Sequence, residues 1–205
     1  MSFWLRGRRD KPAEPLVAAA GKAAPPRLAL VEMWTAENRI TVGVDPGDGR
    51  LSDLLNGGPI LRVVRLEVAP PEGTSSIELR ADHVWRDLDV EAVLLAFPPP
   101  QTTDPRRRLH RPRQLIEFQV GPYDVSGTVH IPPGAQAAGF LQRQGGRFEP
   151  VTRAAIRDRR AELHEHRVDV VLVNLHQLAT MHDVGLAESA EVQVDEAPEP
   201  QAPSA

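Results

Sequence analysis

The sequence has no cysteine in its 205 residues. Disulfides, thiol nucleophiles and cysteine-ligated metals are therefore excluded. Aromatic residues make up only 4 % of the chain, so a core has to be built mainly from Val, Leu, Ile and Ala. No apolar run approaches the roughly 18 residues of a membrane-spanning helix. The net charge of −4 excludes a chain-wide basic surface of the kind that holds nucleic acid by bulk charge. The first residues, MSFWLRGRRDKP, do not read as a signal peptide, because the short apolar piece precedes the arginines instead of following them. A bacterial cytoplasm is the expected location: the missing cysteines fit a reducing compartment, and the abundance of Ala, Arg and Pro suits a GC-rich genome.

Catalytic signatures are missing as well. The chain carries no GxSxG elbow, GxGxxG fingerprint, GxxxxGK[ST] phosphate loop or HExxH pair. His164, His166, His176 and His182 lie close in sequence, but without cysteines a structural zinc would need more convergent ligands. They read as solvated side chains.

Proline is plentiful, at 20 residues, and its clusters divide the chain. Residues 1–27 mix Pro, Ala and Lys with little apolar bulk, which predicts a disordered tail; the Phe3-Trp4-Leu5 triplet within it is too small for a durable membrane anchor. Residues 28–97 and 114–182 read as two β-rich units. Between them, 98–113 (PPPQTTDPRRRLHRPR) reads as a linker loop, since its prolines forbid regular structure. Residues 183–205 read as a disordered acidic tail.

Both units show the same order of signals. In the first, 39–44 (RITVGV) alternates apolar and polar residues, the period of a strand. A Pro-Gly turn follows, then LSDLLN, in which Leu51, Leu54 and Leu55 fall on one side of a single helical turn with Ser52 and Asp53 as caps. Asn56-Gly57-Gly58 ends it through a left-handed glycine, and 60–68 resumes as a strand with Ile60, Val64, Leu66 and Val68 on one face. The apolar run 90–97 closes the unit. In the second unit, 125–131 places Val125, Gly127, Val129 and Ile131 on one face. Pro133-Gly134, Gly139-Phe140-Leu141-Gln142 and Gly145-Gly146 then repeat the punctuation, and 148–156 and 168–175 stand where 60–68 and 90–97 stood. The predicted fold class is all-β with minor α: a duplicated small β-barrel or sandwich unit with short helical turns.

The frame built on Gly127, Pro133, Gly134, Phe148 and Val173-Asn174, together with RLSDLLN at 50–56, resembles a bacterial domain family of unknown function. That family has a Gly-x-hydrophobic-x-hydrophobic-Pro-x-Gly strand followed by Arg-Leu-Ser-Asp-x-Leu-Asn. The second unit departs from the motif, with Gly139 in place of the Asp and Gln142 in place of the Asn. The resemblance implies the duplication and no activity, cofactor or metal.

Two groups of residues are candidate partner contacts: Arg50, Asp53, Leu54, Leu55 and Asn56 on the helical turn, and Arg106, Arg107, Arg108, Arg111 and Arg113 in the linker. Asp53 has no acid, base or nucleophile beside it in sequence, so a capping role outweighs a catalytic one. The expected function is a non-enzymatic protein-binding or assembly module, with room for a homo-oligomer. A small β-barrel gripping nucleic acid phosphates through the arginine loop is the alternative. An enzyme with a site scattered along the sequence is a further alternative.

Overall fold

In the computed structural model the described residues are 27–47, 49–66, 76–79, 83–99, 112–143, 145–161 and 165–186. Residues 1–26 of the expected tail 1–27 and most of the arginine linker lie outside them, and Arg27 opens the first strand.

The chain is all-β. In the first half, β1 (Arg27–Trp34) and β2 (Arg39–Val44) precede helix α1 (Leu51–Asn56), followed by β3 (Ile60–Arg65), β4 (Ser76–Glu78), β5 (Trp85–Asp89) and β6 (Leu95–Phe97). The second half has β7 (Arg113–Val120), β8 (Tyr123–His130), α2 (Ala137–Arg143), β9 (Phe148–Asp158), β10 (Glu165–Asn174) and β11 (Leu178–Leu186). The strands form one open antiparallel sheet rather than two closed units, in the order β11-β7-β8-β9-β10-β6-β1-β2-β3-β5, with β4 added beside β1.

That order is one five-strand permutation read twice, apart from β4. In each half the last strand lies beside the first, and the helix falls between the second and third strands. A 3-10 turn follows the fourth long strand in each half, Val90–Ala92 and Leu175–Gln177. Its first N–H donates to the carbonyl just before the third strand, Val90 to Pro59 at 2.8 Å and Leu175 to Arg147 at 2.7 Å. β4 takes the edge of β1 at Arg27–Ala29, whereas β6 takes it at Glu32–Trp34; β11 alone covers the corresponding edge of β7.

Several sequence expectations shift. The run 90–97 is a 3-10 turn plus a three-residue strand, so the counterpart of β10 is β5, and β6 matches β11. β11 continues four residues beyond 182, into the stretch read as tail. In β3 it is Leu61, Val63 and Val64 that are buried while Ile60 is exposed; Arg62 and Arg65 stay exposed, which puts Leu61 and Val63 on the inner face. Gly57 has φ −74° and is right-handed, so no left-handed residue ends the helix; a Cβ there would stand a tight 3.2 Å from the Asp53 carbonyl.

Two cores share a wall. The first gathers Val31, Met33, Val42, Val44, Leu51, Leu55, Leu61 and Val63 under α1. The second gathers Ile116, Phe118, Val120, Tyr123, Val125, Val129, Leu141 and Val151. Successive strand residues point to opposite faces, and β10 and β6 use both: Val171, Val173 and Leu95 enter the second core, Leu172 and Ala96 the first. Aromatics are few, yet Trp34, Phe118, Tyr123 and Phe148 are among the largest fully buried side chains. Of the expected inward sets, Val42 and Val44 of β2 and Val125, Gly127, Val129 and Ile131 at β8 are buried, while Ile40 is half-buried; Gly43 and Thr128, expected on the outer faces, are buried as well, Gly43 against Leu28. Gly127 faces an irregularity in β9, where a Cβ would stand 2.5 Å from Val151 Cγ1.

Candidate functional site

The helical motif is built from its own backbone. Arg50 takes the N-cap position, so Ser52 lies inside the helix rather than capping it. The Asp53 carboxylate accepts the Arg50 N–H at 3.1 Å, the return half of a capping box. Leu51 and Leu55 are buried in the first core and Leu54 packs against it half-buried; these side chains face the interior. Leu141 and Ala137 fill the same positions under α2.

Asn56 joins the halves. Its carboxamide accepts the Phe148 N–H at 2.8 Å and donates to the Phe148 carbonyl at 3.2 Å. Arg147 reinforces the contact, donating to the Gly58 carbonyl at 2.8 Å and pairing with Glu91 at 2.8 Å. Asn174, fully buried, donates to the Val93 carbonyl at 2.8 Å and accepts the His176 N–H at 3.0 Å. The Tyr123 hydroxyl also crosses the seam, donating to the Thr35 carbonyl at 3.0 Å. Arg160 bonds Asp158, Tyr123 and the Ala36 carbonyl. Arg39 stacks over Trp34 at 3.7 Å from the ring centroid.

Asp158 and Arg160 displace each other's ionisation. Hydrogen bonds from Arg160 hold the Asp158 carboxyl below its ordinary value, against an opposing effect of burial. The same bonds to Asp158 raise Arg160 above its ordinary value. The pair is satisfied internally; the Arg160 bond to the Ala36 carbonyl crosses to the first half, and its bond to Tyr123 steadies the hydroxyl that reaches Thr35.

A groove of about 770 Å³ opens along the same seam. Arg50, Leu51 and Ser52 at the start of α1 form one wall, and Phe97, Pro98 and Pro99, where the chain leaves β6, form the other. Val168, Asp169, Val170 and Leu172 of β10 make the floor. Pro150 and Thr152 of β9, paired with Leu172 and Val170, extend it toward His130 of β8, and the Thr152 and His130 side chains are 3.4 Å apart. Leu51 and Leu172 belong to the first core, so the groove is an opening into that core beside its helical cover. A shallower depression of about 300 Å³ lies on the outer face of β7–β11, with Glu117, Asp124, Arg157, Glu165 and His182 in its lining; these are the outward members of alternating strands.

Of the expected contact residues that are described, Arg50 alone lines the groove. Asp53 is exposed at the helix start, Leu54 and Leu55 are committed to the core, and Asn56 to Phe148. Arg113 is exposed as the first residue of β7; Arg106, Arg107, Arg108 and Arg111, like Phe3-Trp4-Leu5, lie outside the described residues. Phe97, Pro98, Pro99, Val168, Asp169 and Val170 were not singled out by sequence. Their signal was present in the triple proline directly after an apolar strand, and in the lone Asp169 within an otherwise apolar run. Among the described residues no group of three or more His, Asp or Glu is placed to hold a metal ion, and no helix is long and apolar enough to cross a membrane. No family model, curated protein or solved structure matches the chain.

Proposed function

We propose that this chain is a non-enzymatic protein-binding or assembly module, built from two copies of one sheet-forming unit, whose partner surface is the groove at their seam. The observation that carries the reading is the groove itself: apolar on its floor and one wall, with Arg50, His130 and Asp169 as polar handles. Recognition surfaces of this kind combine apolar area with a few placed polar groups. The helix beside it is fixed by its buried leucines and by Asn56, so the groove's shape is set by the fold.

The test is co-purification from the native cell at moderate salt, comparing the natural chain with Val170→Asp. Val170 is half-buried on the groove floor, so a carboxylate there opposes an apolar partner. The expected outcome is a bound protein that the natural chain retains and the variant loses, with thermal unfolding of the two alike. An identical set of bound proteins for both refutes the reading.

A further inference from the structure

The seam between the halves joins unlike edges. On one side is β10, the fourth long strand of its half; on the other is β6, the last strand of its half. A contact between unlike edges is heterologous, and it puts the same two kinds of edge at its outer ends. Among the described residues those ends are β5, the fourth long strand of the first half, and β11, the last strand of the second.

The 3-10 turns set the register for comparing the edges. Asp89 and Asn174 each precede such a turn and accept the N–H two residues on. Asp89 stands opposite Ile60 in β3, and Asn174 opposite Phe148 in β9. One step back Leu88 matches Val173, and two steps back Asp87 matches Leu172. At the seam, Leu172 enters the first core, which the other half builds around α1. Asn174 donates to the Val93 carbonyl of that half. Leu172 and Asn174 are buried there. Both places hold carboxylates on β5, and both carboxylates are exposed.

The remaining seam positions have neutral counterparts at the ends. β11, the counterpart of β6, opens as Leu178-Ala179-Thr180-Met181, without a charge. Phe148 is 2 % exposed, whereas Ile60 in the matching place is 54 % exposed. Asn56, which clasps Phe148, follows buried Leu55; Gln142 follows buried Leu141, carries the same carboxamide and is exposed. At the end of the sheet a second copy would therefore meet an uncharged strand, an apolar residue and a carboxamide where the seam uses them.

We propose that the seam is a repeatable contact, β11 of one copy against β5 of the next, and that Asp87 and Asp89 end it. Docked in this way, Asp87 would enter the second core of the neighbouring copy as Leu172 enters the first. An unpaired carboxylate in an apolar core is strongly disfavoured. Asp89 would face a backbone carbonyl with no hydrogen to donate. Inward-aimed charge is a known guard of strand edges, and here it stands at two places that the seam buries. The inference is independent of the groove, whose lining includes neither residue.

The experiment restores the seam's chemistry at the end of the full-length chain with Asp87→Leu and Asp89→Asn together; Asn keeps the helix cap. Sedimentation velocity is run over a wide range of concentration. The natural chain is expected to sediment as one chain, and the double variant as a series of species that grows with concentration. Excess natural chain is then expected to shorten the series, because its β11 docks on the variant's β5 while its own β5 stays closed. Glu37→Leu, an exposed carboxylate in the β1–β2 turn, controls for a merely sticky leucine and is expected to remain a single chain. A natural chain that already assembles, or a double variant that stays single, overturns the proposal. So does assembly that the natural chain leaves unchanged, which marks pairing of like edges, or equal assembly by Glu37→Leu.

Discussion

Replacing Asn174 by Ala tests the seam most directly. Its side chain makes two hydrogen bonds, to the Val93 carbonyl and from the His176 N–H. The two partners differ in surroundings: Val93 is fully buried, whereas His176 is exposed. Water can re-solvate the His176 N–H, at a loss of about 0.5–1 kcal/mol, but the Val93 carbonyl is left without a partner, at about 1–3 kcal/mol. Loss of the carboxamide volume adds to this, so the expected destabilisation is about 2–4 kcal/mol. Asp89 is the internal control. It occupies the same place before its own 3-10 turn and accepts the Glu91 N–H at 2.9 Å, but it is exposed and makes no bond across the seam. Asp89→Ala therefore removes only a cap, worth about 1 kcal/mol. Urea unfolding at equilibrium, with unchanged m-values, reads both. A cost below about 1 kcal/mol for Asn174→Ala, or equal costs for the two variants, refutes the assignment of Asn174 as the buried tie between halves.

Three further outcomes are expected. Gly121→Ala should destabilise by about 2–4 kcal/mol in urea titration, because φ is +53° and the new Cβ would stand 2.4 Å from Leu94 Cδ1; adding Leu94→Ala should relieve the clash but not the backbone strain, so full recovery refutes the strain component. Asn56→Ala should cost about 1–3 kcal/mol and speed amide exchange at Phe148, and unchanged exchange there refutes the clasp. Since the folded Asp158 carboxyl ionises below its ordinary value of about 4, the folded state binds fewer protons than the unfolded one near that pH. Its contribution is complete above about pH 4 and is lost as pH falls through the folded value; Arg160→Gln should flatten the acid limb of a stability-against-pH curve, and an unaltered limb argues against the pair.

The parts of this fold that were legible in sequence are those with one wet face and one dry face. The inward residues Val42 and Val44 of β2 and Val125, Gly127 and Val129 of β8 followed from period two, although β8 starts two residues earlier than its alternation showed and Gly43 and Thr128 on the opposite faces are also covered. The helical turn was legible for the same reason, with Leu51 and Leu55 one turn apart. β3 misled because ILRVVR offers apolar residues in both phases, and only Arg62 and Arg65 disclose which is inner. β5 (WRDLD) and β11 (LATMHDVGL) lack alternation because they are edge strands, one charged and one bulged. The candidate site was the least legible. Arg50 was found because it begins a motif, but the groove floor comes from β10, whose distance in sequence from α1 is closed by tertiary contacts alone: Leu172 beside Leu51 and Leu55 in the first core, and the Asn56–Phe148 and Arg147–Gly58 hydrogen bonds. Asn56 itself read as a surface contact because its partners are two backbone groups, which leave no mark in sequence.

The party wall made by β6 and β10 ties the fates of the two cores together. A larger or smaller side chain at Leu95 is felt on one side of the wall and at Ala96 on the other, and both strains reach β10. Cut in the linker, either fragment would carry away one face of a partition and bare an oily surface where its neighbour had been. The halves therefore melt as a single cooperative body and do not separate as beads on a string.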